Sequence, residues 1–484
     1  MKIIVYLMLF FSCFELLSVF SFGTHSFTPM EVLMIIFYLA YLKKIFYDGE
    51  KLIINWNSTL LFFIILIISA FLCGITPLLT TQSAMLIQYF KTFSHFLFLI
   101  FIAVICLTYP LDEKIWYGVI KMMIVLSLFV NLFGIYQLFA RIYGLPLAWL
   151  TVSNLNMSLR MSYAQSEVSQ LSLNYANFFR GTSVFFEPSA YAGFNVSILI
   201  YLLVPIMHGR KNLLKSKFLT YFLIILAVIG LFLAFSLSGL TGIGVLLIAM
   251  LFVGKKRKII TLIKMFIISF AILYITDRII ENISNMSVYD LFVTRVTGIT
   301  NPDKSGKGEE IAGESFHMRA SNITESISLW KRFPILGCGL GLTSLQTNQL
   351  VTFSSYSVLC ALSEMGIFGF IGIAGLLLSL ILILSKFIFF PKLFKHIPDD
   401  FKVLLEIAFY SMLITTYFNT FVGNNLVGVG LWIPLMFPIS ILTTYFYKYT
   451  DNSYKIELFA IPPKELIGSI ISKYLAKHSR SKLQ

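Results

Sequence analysis

The chain has 484 residues, 58% of them apolar and 12% charged, with 48 Phe and a formal net charge of +14. That mix excludes an ordinary soluble globular domain and places the chain among polytopic membrane proteins. The Lys and Arg excess gathers in short connections and a basic tail, so it is a topology signal and weak evidence for nucleic-acid binding.

Apolar runs of roughly 17 to 25 residues mark membrane spans. In chain order the predicted helices run from Ile3 to Phe22, Met30 to Tyr47, Thr59 to Leu79, Tyr89 to Tyr109, Gly118 to Ala140 and Val184 to Met207. A second set runs from Phe218 to Ser236, Gly239 to Val253, Ile259 to Thr276, Val358 to Leu384, Val403 to Val422 and Val427 to Tyr447. The expected fold is all-α with about twelve spans. Met1 to Phe22 reads as a span and not a signal peptide, because the apolar run is long and no small-residue cleavage site follows it.

Lys43, Lys44 and Lys51 mark one cytoplasmic connection, and Arg210, Lys211, Lys215 and Lys217 a second. Lys255 to Lys258 mark a third, and Lys386, Lys392, Lys395 and Lys402 a fourth. Gly23 to Pro29, Thr80 to Gln88 and Gly423 to Leu426 carry no Lys or Arg and are predicted external, which puts both termini in the cytoplasm.

Two connections are long, residues 141–182 and 277–357, and both are predicted external. In the second, Asn301 to Gly313 is turn-rich. Beyond it Ile323, Ile327, Leu329 and Trp330 recur at helical spacing, which predicts a short helix stopped by Pro334 and the GCGLG run at 337–341. Residues 1–447 form one membrane domain and 448–484 a basic cytoplasmic tail. There Leu466, Ile467, Ile470, Ile471, Tyr474 and Leu475 share a helical face suited to the inner leaflet. Cys13, Cys73, Cys106, Cys338 and Cys360 show neither a disulfide framework nor metal spacing.

The stretch RGTSVFFEPSAYAG, Arg180 to Gly193, puts a fixed cation and a carboxylate at the mouth of an apolar helix. Charges at such positions are expensive and usually functional. Plainer roles stand beside that one: Arg180 snorkelling to headgroups, Glu187 and Pro188 starting a helix, and Arg319 and Arg332 as surface charges. Glu364 beside Gly366 also reads as a helix start, and Gly239, Gly242 and Gly244 fit close helix packing. Glu15, Lys91 and His95 lie in predicted spans and call for partners.

The order of these features resembles that of bacterial O-antigen polymerases. The resemblance covers roughly residues 90 to 445: two long external loops, an Arg before an EPSAYAG segment, SLSGLTGIG at Ser236 to Gly244, Arg319, and a helix with Trp330 and Pro334. The Gly337 to Gly341 run and SSYSVLCALSEMGIFG at Ser354 to Gly369 complete the series. The related O-antigen ligases usually carry a His where this chain has Ser354 or Ser355, and an Arg near Gly239, so the departures favour polymerase.

The resemblance implies an integral-membrane glycosyltransferase of a bacterial inner membrane, joining undecaprenyl-diphosphate-linked oligosaccharide units on the external face. Arg180, Glu187 and Arg319 are the implied catalytic residues; Ser189, Tyr191, Arg332, Tyr356 and Glu364 are the implied substrate contacts. Guanidinium groups match the oxygens of a departing diphosphate. A carboxylate would take the proton of the acceptor hydroxyl, and Glu187 is nearest in sequence. No nucleotide-phosphate loop and no external acidic pair for a divalent cation are visible, so a metal-independent mechanism without a cofactor is expected. Membrane lipids, a chain-length regulator and a flippase are the implied partners, and no nucleic acid is. The alternatives are a ligase acting on lipid A-core and a lipid-linked oligosaccharide flippase; a transporter would place charges and broken helices near mid-membrane, and no internal repeat is seen.

Overall fold

The computed structural model describes residues 1–22, 25–50, 52–55, 57–80, 82–154, 170, 174–175, 178–253, 256–284, 287, 289–290, 293, 314–347, 357–422, 426–450 and 455–458. It is mostly helical, and among the described residues 8 helices are long and apolar enough to cross a membrane: Ser58–Thr80, Ser83–Thr108, Glu113–Tyr143, Pro188–Met207, Lys217–Ala234, Ser357–Phe389, Asp399–Val422 and Val429–Tyr449. Each coincides with a predicted span.

The other four expected spans differ for identifiable reasons. Helix α1 (Lys2–Phe11) has only 10 residues, about half the bilayer core at 1.5 Å per residue. The apolar run continues to Phe22, but Phe20–Phe22 and His25–Phe27 form an antiparallel hairpin (β1, β2) in which Phe20 and Phe27 stack at 4.8 Å. Ile3 to Phe22 is therefore not one helix. Helix α2 (Pro29–Phe46) carries Glu31, Lys43 and Lys44 in its 18 residues, and Thr28 and Glu31 close a reciprocal cap at its start. Leu237–Val253 is apolar but stops at 17 residues, and Lys256–Ser284 is long but charged at both ends.

Strand β3 (Leu52–Asn55) comes next, and after it the chain forms α3 (Ser58–Leu72), α4 (Ile75–Thr80), α5 (Ser83–Thr108) and α6 (Glu113–Tyr143). Two short strands, β4 (Asn174–Tyr175) and β5 (Phe178–Phe179), lead into α7 (Pro188–Met207), α8 (Lys217–Ala234), α9 (Leu237–Val253) and α10 (Lys256–Ser284). Then come α11 (Glu314–Arg332), α12 (Thr343–Thr347), α13 (Ser357–Phe389), α14 (Asp399–Tyr417), a π-helical turn at Phe418–Val422, α15 (Val429–Tyr449) and β6 (Lys455–Leu458).

Helix α7 lies at the centre, touching α6, α8, α9, α10 and α14, and is buried on nearly every side, as suits a helix apolar all round. Helices α3 and α13 approach closely because Gly372 and Gly375 face Leu66 and Phe62 without side chains of their own.

The helix ends sort into two sets. One end carries Lys44, Glu50, Glu113, Arg210, Asp399 and Lys448, and there β3 pairs antiparallel with β6, tying the tail to the connection after α2. The opposite end carries the connections through Leu16, residues 141–154 and 180–187, and the C-terminus of α8. The predicted amphipathic face of the tail and the turn-rich segment 301–313 lie outside the described residues.

Candidate functional site

Helix α6 ends at Gly144, which adopts φ +65°, and its last turn carries Arg141, 7% exposed. The guanidinium donates from Nε to the Ala148 carbonyl (2.9 Å), from one terminal nitrogen to the Arg180 carbonyl, and from the other to Gln170 Oε1 (3.2 Å) and Thr182 Oγ1 (2.6 Å). It also lies 4.0 Å from the Trp149 ring centroid. All four acceptors are neutral, so they satisfy the fork without cancelling its charge.

Gln170 extends this knot, donating to the carbonyls of Ser183 and Phe185 at 2.7 Å each while its Oε1 also accepts from Gln137 at 2.8 Å. The first long connection is thereby fastened to the segment that carries Arg180.

Arg180 is buried and not snorkelling. Its Nε donates to the Ala234 carbonyl at 3.2 Å, and the Gly181 amide donates to Leu233 at 2.8 Å. These carbonyls end α8 and have no helical donors, so the cation sits at the negative end of that helix.

Six residues after Arg180, the Phe186 amide donates to Glu15 Oε1 at 3.2 Å, and Asn154 Nδ2 donates to the Glu15 carbonyl at 2.9 Å. Glu15 thus has the partners its sequence position called for. Glu187 follows as the N-cap of α7, with an exposed side chain that accepts a hydrogen bond from Ser189 Oγ. Arg180, Glu187 and Ser189 are therefore gathered on one segment at one end of the bundle.

The remaining expected contacts divide. Tyr191 is fully buried; its hydroxyl donates to Asn131 Oδ1 at 2.7 Å, and it lies against Gly134 and Gly230. It is a core residue, because helical spacing from Pro188 turns it inward between α6 and α8. Arg332 is exposed at the end of α11. Arg319 lies on α11, where its backbone alone is described, and Tyr356 lies outside the described residues.

Glu364 is neither a helix start nor an open contact. It is 3% exposed and accepts from the Gly341 amide and the Thr343 hydroxyl at 2.8 Å each. His95 likewise has an acidic neighbour, with Nε2 3.6 Å from Glu31 Oε1.

Arg141 escaped the sequence reading, since an Arg in the last turn before a Gly resembles an ordinary helix end. The signal available was its position inside the apolar run GIYQLFARIYG.

At the opposite end Arg210 makes a bidentate pair with Glu406, Nη2 donating to Oε1 at 2.8 Å and Nε to Oε2 at 3.3 Å, and a 2.8 Å bond to Asp399. Burial works against its charge, but the hydrogen bonds and charges of Glu406 and Asp399 outweigh that and raise its pKa further. Among the described residues no group of three or more His, Cys, Asp and Glu is placed to hold a metal ion. No protein-family model and no curated protein matches the chain.

Proposed function

We propose that the protein is an integral-membrane glycosyltransferase of the O-antigen polymerase type. Its substrates on this reading are polyprenyl-diphosphate-linked oligosaccharides, and its chemistry takes place at the bundle end that holds Arg141, Arg180 and Glu187, on the external face of a bacterial inner membrane. The observation that carries this reading is the pair of buried guanidinium groups joined through the Arg180 carbonyl. Arg141, satisfied by neutral oxygens, keeps its field, and a departing lipid diphosphate is the kind of anionic leaving group that such a field stabilises. Sugar acceptors arrive by the exposed Glu187, whose carboxylate takes the hydroxyl proton while the hydroxyl oxygen bonds the donor's anomeric carbon and the bond from that carbon to the lipid diphosphate breaks.

Purified protein supplied with synthetic lipid-linked repeat units tests the proposal. A ladder of elongated lipid-linked glycans is the expected product. Transfer of glycan to lipid A-core in place of elongation would make the protein a ligase, and unit translocation without bond formation would make it a transporter.

A further inference from the structure

Helix α13 is broken at Gly366, which has φ 66° and ψ −162°. The break frees carbonyls that a continuous helix would use, and the glycine run after α11 fills them. Cys338 N donates to the Ser363 carbonyl at 2.9 Å and Gly339 N to the Glu364 carbonyl at 3.0 Å, while Ile367 N donates back to Pro334 at 3.0 Å. Thr76 Oγ1 adds a bond to the Gly337 carbonyl at 2.8 Å. A side chain at Gly337 would collide with the Glu364 backbone, and one at Gly366 with the Ile335 carbonyl, so only glycine allows this approach. Glu364 closes the joint by holding Gly341 and Thr343.

What the joint holds is α11, which runs from it beside α13. Within 321–332 only Asn322 and Leu329 are buried, and Ile323 is 37% exposed. We infer that Glu364 is a positioning residue: it locks the glycine run into the break of α13 and so sets the direction of α11, and with it the place of Arg319. Arg319 precedes Arg332 by thirteen residues, about 20 Å along the helix. A rocking of about 10° at the joint therefore displaces its backbone by about 3 Å, and a misplacement of about 1 Å is enough to cost on the order of 100-fold in rate. The effect on rate rests on the proposed polymerase reading; the mechanical part does not.

The test places nitroxide labels at Ser321→Cys, on the exposed surface of α11, and Tyr143→Cys, at the end of α6, in lipid nanodiscs; the native cysteines are all buried. A narrow distance distribution is expected for the otherwise native chain and a broad one for Glu364→Ala, with turnover of lipid-linked units lowered about 100-fold in kcat. Glu364→Gln keeps an acceptor for Gly341 and offers its amide to Thr343, so it restores the narrow distribution and brings turnover within about threefold. Thr343→Val, which removes one clamp bond and little volume, broadens the distribution partially and serves if Glu364→Ala does not fold. An unchanged narrow distribution in Glu364→Ala, or in Thr343→Val as its substitute, overturns the inference. So does a Glu364→Gln protein as inactive as Glu364→Ala with native distances, because the carboxylate would then act chemically. If the native chain elongates nothing, the polymerase reading fails while the distances still decide the joint.

Discussion

The two ends of the bundle treat buried charge in opposite ways. At the lysine-rich end cations meet carboxylates: Arg210 with Glu406 and Asp399, Lys448 with Glu113, Lys44 with Glu50. At the other end, apart from Glu31 beside His95, Arg141 is held by carbonyls, an amide and a hydroxyl, and Glu364 by a backbone amide and a hydroxyl. A compensated pair contributes geometry and little field beyond itself. A charge fixed by dipoles is oriented and still able to act on a charged ligand, so the second arrangement suits chemistry and the first suits anchoring.

If that division is right, the largest effects belong to the arginines of the dipole-held end. Arg141→Lys cannot serve four acceptors with one ammonium, and Arg180→Lys loses the planar fork. Each is expected to lower turnover of lipid-linked units by about 100-fold at normal expression, and Arg319→Ala is expected to behave likewise. Native chain length in the Arg180→Lys protein would remove that residue from the mechanism. Glu187→Gln tests the base at the same end: its loss is expected to cost about 100-fold or more, with unextended lipid-linked units accumulating. A loss below about twofold would leave Glu187 only as the start of α7, a role worth about 1 kcal/mol.

How much of this was legible in the sequence depends on how local each feature is. The eight long spans are apolar runs, and a run is visible in one window. The failure at Ile3 to Phe22 is also informative: composition alone does not separate a short helix and a Phe-rich hairpin from one long helix. The spacing of Ile323, Ile327, Leu329 and Trp330 predicts helix α11, yet only Leu329 of these is buried, and the backbone bonds of the glycine joint that hold its end follow from no spacing. Glu364 meets its partners 21 and 23 residues away through a helix break, and Arg141 meets Arg180 across 39. No spacing rule reports contacts of that kind. The burial of Tyr191 is hidden for the same reason, since its inward direction depends on Gly134 and Gly230 from two other helices.

The lysine-rich end should respond in stability and not in chemistry. Glu406→Gln strips Arg210 of its bidentate partner and also alters the neighbour of His208, whose Nδ1 lies 3.7 Å from Glu406. A loss of about 2 to 3 kcal/mol is expected, seen as a lower melting temperature in detergent, with turnover per folded molecule unchanged. Turnover that collapsed at an unchanged melting temperature would mean that the two ends are not separate in function.

Tyr191→Phe should give the smallest effect and draws the inner boundary of the site. The hydroxyl is bonded inside the bundle, to Asn131 and Asn195, and its loss leaves ring packing intact, so about 1 kcal/mol of stability is at stake. If the substrate stays at the mouth of α7, KM and kcat for lipid-linked units remain within about twofold, as a purely internal bond requires. A tenfold rise in KM with an unchanged melting temperature would instead place part of the glycan against Tyr191, one helical turn inside the bundle. The dipole-held region would then extend from the surface into the core, and the search for its charges would move to the polar contacts between α6 and α7.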